Sequence, residues 1–334
     1  MREEQVKVSV NGSVRNLLSL RVGDQNVVIA GKFIKLARIH DELFVDGEPL
    51  NQPEVFVGAL RRWERRPDIF QFAQDFRDAN ARFSYPMEWD NAAAAATRNY
   101  DDWWNKLPQE TRKNVRRAAR RGVSVRVATF DDELVKGIKA IYDESPFRQG
   151  KRFWHFGKDL QSVKRENSTY PERSEFVGAY YKGELIGFLK LVYVNGAARI
   201  MQILSKNSHH DKRPMNALIA KAMELCQERG VSHLVYSQFT FGYKNDSQLT
   251  EFKRRNGFEE LLFPRYYVPL TFKGKIALAM NLHHGALGVL PPRLVNLLLT
   301  LRSKLASVRS RLLRRRPLSR DARPARAIEA RMGV

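Results

Sequence analysis

One cysteine in 334 residues, Cys226, leaves no pair to close an intramolecular disulfide and fits a reducing compartment. Cys226 falls beside Met223 and Leu225 on an apolar helical face, which makes it a small buried hydrophobe. No apolar run reaches the ~18 residues of a membrane span, and Met-Arg-Glu-Glu-Gln does not open a secretory signal. Both absences point to the cytoplasm. The chain also lacks a phosphate-cradling Gly-rich turn, a zinc-spaced Cys/His set and a nucleophile elbow. Histidine pairs occur at His209-His210 and His283-His284, but neighbours on a strand point oppositely, so no metal site is expected. Ser205 near His210 and Ser237 near His233 lack the elbow, which sets hydrolysis aside. No helix-turn-helix, zinc-finger or aromatic RNA-binding signature occurs, so DNA is not an expected partner.

Acid is scarce as well. Lys and Arg number 58 against 36 Asp and Glu, giving a net charge of +22 and a pI near 10.2. Such a balance favours polyanions, anionic lipid or phosphorylated substrates. From Arg302 onward eleven basic residues meet two acids, and Arg112 to Arg121 holds six basic residues with no acid between them. In the second stretch Arg112, Arg116 and Arg120 share one helical stripe, either a solvated face or a phosphate-binding one.

Hydrophobic content of 43% is that of a folded protein, and the length suits about two domains. Residues 5–48 alternate short β-rich runs with turn signals at Asn11-Gly12, Gly23-Asp24 and Asp46-Gly47. A helix from Pro53 to Arg62 and a strand from Ile69 to Phe72 follow. Asn91-Ala-Ala-Ala-Ala-Ala96 is too short for low complexity and receives no element. Beyond the basic helix come a strand over 123–130 and a helix over 131–144. The stretch 145–169 is aromatic, basic and long for a connector, as substrate walls and lids often are. Glu175–Tyr181, Lys182-Gly183 and Glu184–Val194 form the clearest hairpin, and Asn195-Gly196 turns the chain again.

The stretch from Ala197 to Pro269 organises the chain. An apolar strand ends at Ser205, a polar turn runs to Arg213, and Pro214 opens a helix that Gly230 closes. A strand over 233–239, a helix over 247–256 stopped by Gly257, and an aromatic run over 261–270 complete it. Alternating strands and helices imply a mixed sheet with helices on its faces, with sites beyond the strands' carboxyl ends at 205–213 and 238–247. Thr271 to Leu305 holds amphipathic stretches at 275–282 and 294–305, which cover the domain or lie on an anionic membrane surface.

Phe252-Lys253-Arg-Arg-Asn-Gly257 is similar to the F-K-x-x-x-G element of the Fem-type (FemAB) aminoacyltransferases within the GNAT superfamily. Leu107-Pro-Gln-Glu-Thr-Arg112 through Arg120-Arg-Gly-Val123 resembles the helix that opens the same domain. This resemblance covers roughly residues 86–272. It implies an α/β (α+β) fold: a GNAT-like mixed, largely antiparallel sheet with helices on both faces. Residues 1–85 become a small α/β unit standing for a shortened first GNAT-like half, although the sequence shows no repeat. Residues 273–334 form a helical basic extension.

The implied activity is N-acyl transfer: an acyl or aminoacyl group passes to an amine on a phosphate-bearing acceptor, such as a sugar nucleotide or lipid-linked envelope precursor. Plain acetyl-CoA-dependent N-acetyl transfer and a non-catalytic membrane- or RNA-binding adaptor are the alternatives. No permanently bound cofactor is expected; acyl-CoA or aminoacyl-tRNA serves as co-substrate. In acyl-CoA binders of the superfamily the turn before the helix carries glycines, and His209–Ala217 has none. Lys212, Arg213 and Asn216 would hold the donor's anion. Lys253, matching the lysine implicated in peptide-bond formation, would stabilise the oxyanion, with Phe252 and Leu249 turned to the core. Tyr243 would serve the proton route. Arg116, Arg120, Ser205, Arg265 and Tyr266 would line the acceptor's place, and residues 294–316 would meet an anionic membrane, making the protein peripheral on its inner face.

Overall fold

The computed structural model describes residues 2–10, 13–45, 52–148, 150–240 and 247–285. Tyr243 and the basic segment 294–316 therefore lie outside the described residues.

The chain begins with β1 (Arg2–Val10), β2 (Ser13–Val22), β3 (Gln25–Ala30) and β4 (Leu36–Ile39), then α1 (Pro53–Arg62), β5 (Ile69–Ala73) and β6 (Met87–Ala96). Helices α2 (Tyr100–Lys106) and α3 (Gln109–Arg120), strand β7 (Val123–Ala128) and helix α4 (Asp132–Tyr142) follow. Strands β8 (Phe147–Arg148) and β9 (Lys151–Arg152) make a separate two-stranded ribbon. Helix α5 (Leu160–Asn167) precedes β10 (Ser174–Tyr181), β11 (Glu184–Val194) and β12 (Ala197–Ser205). The last elements are α6 (Pro214–Glu228), β13 (His233–Val235), α7 (Gln248–Arg255), β14 (Glu259–Pro269) and α8 (Phe272–Ala279).

Local chemistry accounts for most boundaries. Asn99, Asp131, Asp159, Ser247 and Thr271 each accept a main-chain N–H at the start of a helix. Proline occupies the first turn of α1 and α6, where its missing N–H costs nothing. The β10–β11 hairpin turns at Lys182-Gly183 in the expected register, with Tyr181 opposite Glu184. The capped helix α5 stands where the sequence suggested only a connector.

Twelve strands form one sheet in the order β1-β2-β3-β4-β5-β14-β6-β13-β12-β11-β10-β7. Read from either edge, the pairing repeats: three antiparallel pairs, one parallel pair, then antiparallel pairs to the centre. The parallel pairs are β4 with β5 and β12 with β13, and α1 and α6 occupy the same place between them. The strand after each parallel pair crosses to the other half: β6 pairs with β13, and β14 pairs with β5. The two exchanged strands pair with each other at the centre.

The alanine run is that central strand. Ala93 and Ala95 pack with Leu218, Ala222 and Met223 of α6, while Ala92 and Ala94 pack with Phe76, Phe263 and Val235. Alternate alanines thus cover opposite faces, as the two-residue strand period requires. Helical propensity is overridden because each small side chain meets a crowded core on its own side. Among the described residues no helix is long and apolar enough to cross a membrane.

Candidate functional site

The strand expected over 233–239 ends at Val235, its main-chain bonds to Ala93 of β6 run on only to Ser237, and the departure beyond them creates the site. Ser237 takes a left-handed backbone (φ 54°), which turns the chain out of register. Asn91 of β6 then replaces the lost ladder: its Oδ1 accepts from the N–H groups of Phe239 (2.7 Å) and Thr240 (2.9 Å). β12 and β13 pair only at Ala198–Leu234 and Arg199–Val235. Beyond those pairs they separate.

On one side of the departing segment lies a cavity of about 830 Å³. The loop after β4 (Asp41, Glu42), the end of β5 with Asp75 and Arg77, Asp90 and Asn91 of β6, Arg199 of β12, Gln238 and Arg265 line it. Arg265 is buried between Asp90 (Nε to Oδ2, 2.7 Å) and Glu42 (NH1 to Oε2, 2.9 Å). Burial alone would lower its pKa, yet the two carboxylates raise it above the ordinary value. Glu42 also accepts from the N–H of Ala73 at 2.6 Å, and Gln238 Nε2 donates to Asp90 Oδ1 at 2.9 Å. Arg77 pairs with Asp75.

Arg199 differs from both. Its Nε is buried without a hydrogen-bond partner among the described residues, and its guanidinium stands 5.1 Å from the Phe76 ring centre. Burial draws its pKa down to about 10. A desolvated guanidinium facing a cavity is a ready partner for a carboxylate or phosphate. One signal for it was present in the sequence: a lone arginine inside the apolar run Ala198–Leu204.

Lys253 approaches the same segment from the α6 side of the sheet. It is fully buried, while Phe252 and Leu249 are only partly so, the reverse of the orientation expected from the sequence. The reason is Tyr236 and Gln238: the ammonium lies 4.9 Å from the Tyr236 ring centre and donates to the main-chain carbonyl of Gln238. Burial lowers its pKa to about 8. Gln238 thus takes Lys253 on its backbone and Asp90 on its side chain, joining the lysine to the cavity network.

The other sequence-named residues are dispersed. Lys212 packs 4.6 Å from the Tyr181 ring, and Arg213 is exposed with a left-handed φ of 58° at the start of α6. No side chain caps that start. Asn216 donates to Asn256 Oδ1 at 2.9 Å, tying α6 to α7 near Lys253. Ser205 is buried at the end of β12. Arg116 and Arg120 are exposed on α3, with Arg116 over Trp104, while Arg121 binds Asp211 of the turn at 3.0 Å. Tyr266 is a core residue that does not line the cavity: it stacks on Phe72, and its hydroxyl is 2.9 Å from both Gln74 Oε1, in the cavity wall, and the Arg82 N–H. Among these sequence-named residues, Arg265 alone lines the cavity.

Gly257, last of the F-K-x-x-x-G element, has a structural cause. Its φ is 79°, and a Cβ there would stand 2.5 Å from Trp103 Nε1, which donates to the Asn256 carbonyl. Gly257→Ala is expected to destabilise the fold by about 2–4 kcal/mol, from backbone strain and overpacking together. Urea unfolding measures this; a change under ~0.5 kcal/mol would show that the α2–α7 packing is looser than described.

No family model matches the chain, and no curated protein matches it. Solved structures do. FemX aligns over 84% of this chain and 90% of its own, at 11% identity and a TM-score of 0.54. L-PGS from Bacillus licheniformis aligns over 78% and 87%, at 14% identity and a TM-score of 0.49. A tandem GNAT protein from the clavulanic acid biosynthesis pathway aligns over 77% and 83%, at 11% identity and a TM-score of 0.41. The mixed, mostly antiparallel sheet is GNAT-like, of the Fem type.

Proposed function

For this GNAT-like fold of the Fem type, we propose an N-acyltransferase that moves an acyl or aminoacyl group onto the amine of an anionic, phosphate-bearing acceptor. The observation that carries this reading is Gln238, shared by the buried Lys253 on one side of the sheet and the cavity network on the other. The acceptor lies in the cavity with its anion on Arg199; the donor lies along the start of α6.

In the first step the acceptor's nitrogen attacks the donor's carbonyl carbon, a C–N bond forms, and the carbonyl electron pair moves to oxygen. The Lys253 ammonium sits beside that oxyanion, where one fixed donor is worth ~3–4 kcal/mol. The tetrahedral intermediate collapses by breaking the bond to the leaving group: C–S for a coenzyme A thioester, C–O for an aminoacyl-tRNA ester. The amine's proton goes to that leaving group. The Gly-free turn at 206–213 favours the ester donor, because only glycine lets a backbone close tightly on a pyrophosphate.

Donor titration tests the reading. Acetyl-CoA and an aminoacyl-tRNA are added separately to the full chain, and to Lys212→Ala/Arg213→Ala, at low and high salt. One donor should bind the parent, and the double variant should lose ~10-fold or more at low salt, the loss shrinking as salt screens these charges. Binding of neither donor to the parent would defeat acyl transfer. Unchanged affinity in the variant would move the donor away from α6.

A further inference from the structure

The second histidine pair does not line the acyl-transfer cavity. His283 and His284 sit on a single 3-10 turn, Leu282–His284, which Asn281 enters with φ 54° and Gly285 leaves with φ 76°. The strand argument, in which neighbours point oppositely, does not hold on that turn. Both rings fold to the same side, with centroids 4.1 Å apart. Each Nε2 lies 2.9 Å from one oxygen, Oε1 of Glu88.

We propose that Glu88, His283 and His284 form a binding site for one divalent transition-metal ion, of which Zn²⁺ is the type. Their three donor atoms lie within 4.8 Å of one another. Two ligands at Zn–N and Zn–O lengths of ~2.0–2.1 Å stand roughly 3.3 Å apart in a tetrahedral site. The two 2.9 Å N···O separations would each open by a few tenths of an ångström around the ion. Two neutral imidazoles and one carboxylate are a suitable set for such a metal, and they leave a position open to water.

The surroundings fit a built site. The His283 side chain is 3% exposed and meets the Tyr267 ring edge-on at 4.6 Å. Its Nδ1 is buried without a hydrogen-bond partner among the described residues, so the polar contact holding this ring is the cluster itself. His284 is 45% exposed and gives the ion a way in. Glu88 belongs to β6 and pairs with Arg265 of β14, so the ion would pin the turn after α8 onto the two exchanged strands.

The full chain, stripped with a chelator, is titrated with Zn²⁺ against a competing chromophoric chelator, and with Co²⁺ by visible absorption. One ion per chain is expected, with a Kd under ~1 µM and a melting temperature raised by several degrees. His284→Gln, at the exposed ligand, should lose ~100-fold or more in affinity while circular dichroism stays that of the parent. Glu88→Gln keeps shape and should lose the ion likewise. His209→Gln/His210→Gln, at the remote pair, should leave both stoichiometry and affinity unchanged. No stoichiometric binding by the parent, or parental affinity in both His284→Gln and Glu88→Gln, would overturn the site and leave a hydrogen-bonded cluster.

Discussion

Lys253→Met should lower the rate constant by ~100-fold or more while donor and acceptor affinities stay within a few-fold. The charge removed lies under the splayed segment, against the Gln238 carbonyl and the Tyr236 ring. Burial has already lowered its pKa to about 8 from an ordinary 10.5, so the ammonium is lost just above neutrality. The parent's rate should therefore fall as pH rises through about 8, and Lys253→Arg should keep part of the rate and remove that fall. Stability runs the other way. Between about 8 and 10.5 the unfolded chain holds one proton more than the folded chain at this site, so the burial penalty, full below 8, fades as pH rises.

A buried lysine is not by itself a catalytic mark. Lys190 is equally buried, with a pKa also lowered to about 8, but its ammonium donates to the carbonyls of Asn167 (2.7 Å) and Thr169 (2.6 Å) and to Thr169 Oγ1 (2.8 Å). It holds the 167–169 turn. A Lys253→Met enzyme working within a few-fold of the parent, with an unaltered pH profile, would put Lys253 in that same structural class.

Arg199→Met should give an opposed pair of effects: weaker acceptor binding and a more stable free protein. A charge-assisted hydrogen bond is worth about 1.5–3 kcal/mol, so KM for the acceptor should rise ~10- to 100-fold. The parent meanwhile carries a desolvated guanidinium whose buried Nε has no partner among the described residues, and methionine fills much of the space without that charge. The melting temperature should rise by a few degrees. A guanidinium needed only for packing would move stability down and leave KM alone. An unchanged acceptor KM would remove the acceptor from this cavity.

Several elements were legible because their causes are local. Pro214 and Gly230 bracket α6, Lys182-Gly183 and Asn195-Gly196 turn β10, β11 and β12, and Ser247 and Gly257 bound α7. Lys253 was named through its motif and without its depth, since helical spacing cannot say which side the departing strand will cover. Arg265 was named without its partners. Glu42 and Asp90 lie 223 and 175 residues away, and no local pattern joins them.

By itself the sequence determined most of the elements, the runs of basic residues and the lack of a cysteine pair, because helical and strand periods, caps and turns act over a few residues. The tertiary structure alone decided that Ala92–Ala95 is a central strand, that β6 and β14 exchange between halves, and that Arg199 faces a cavity. Only the structure brought two neighbouring histidines onto one carboxylate. Each of these depends on pairings between distant segments, whose contacts repay the entropy of loop closure only once the whole sheet is assembled.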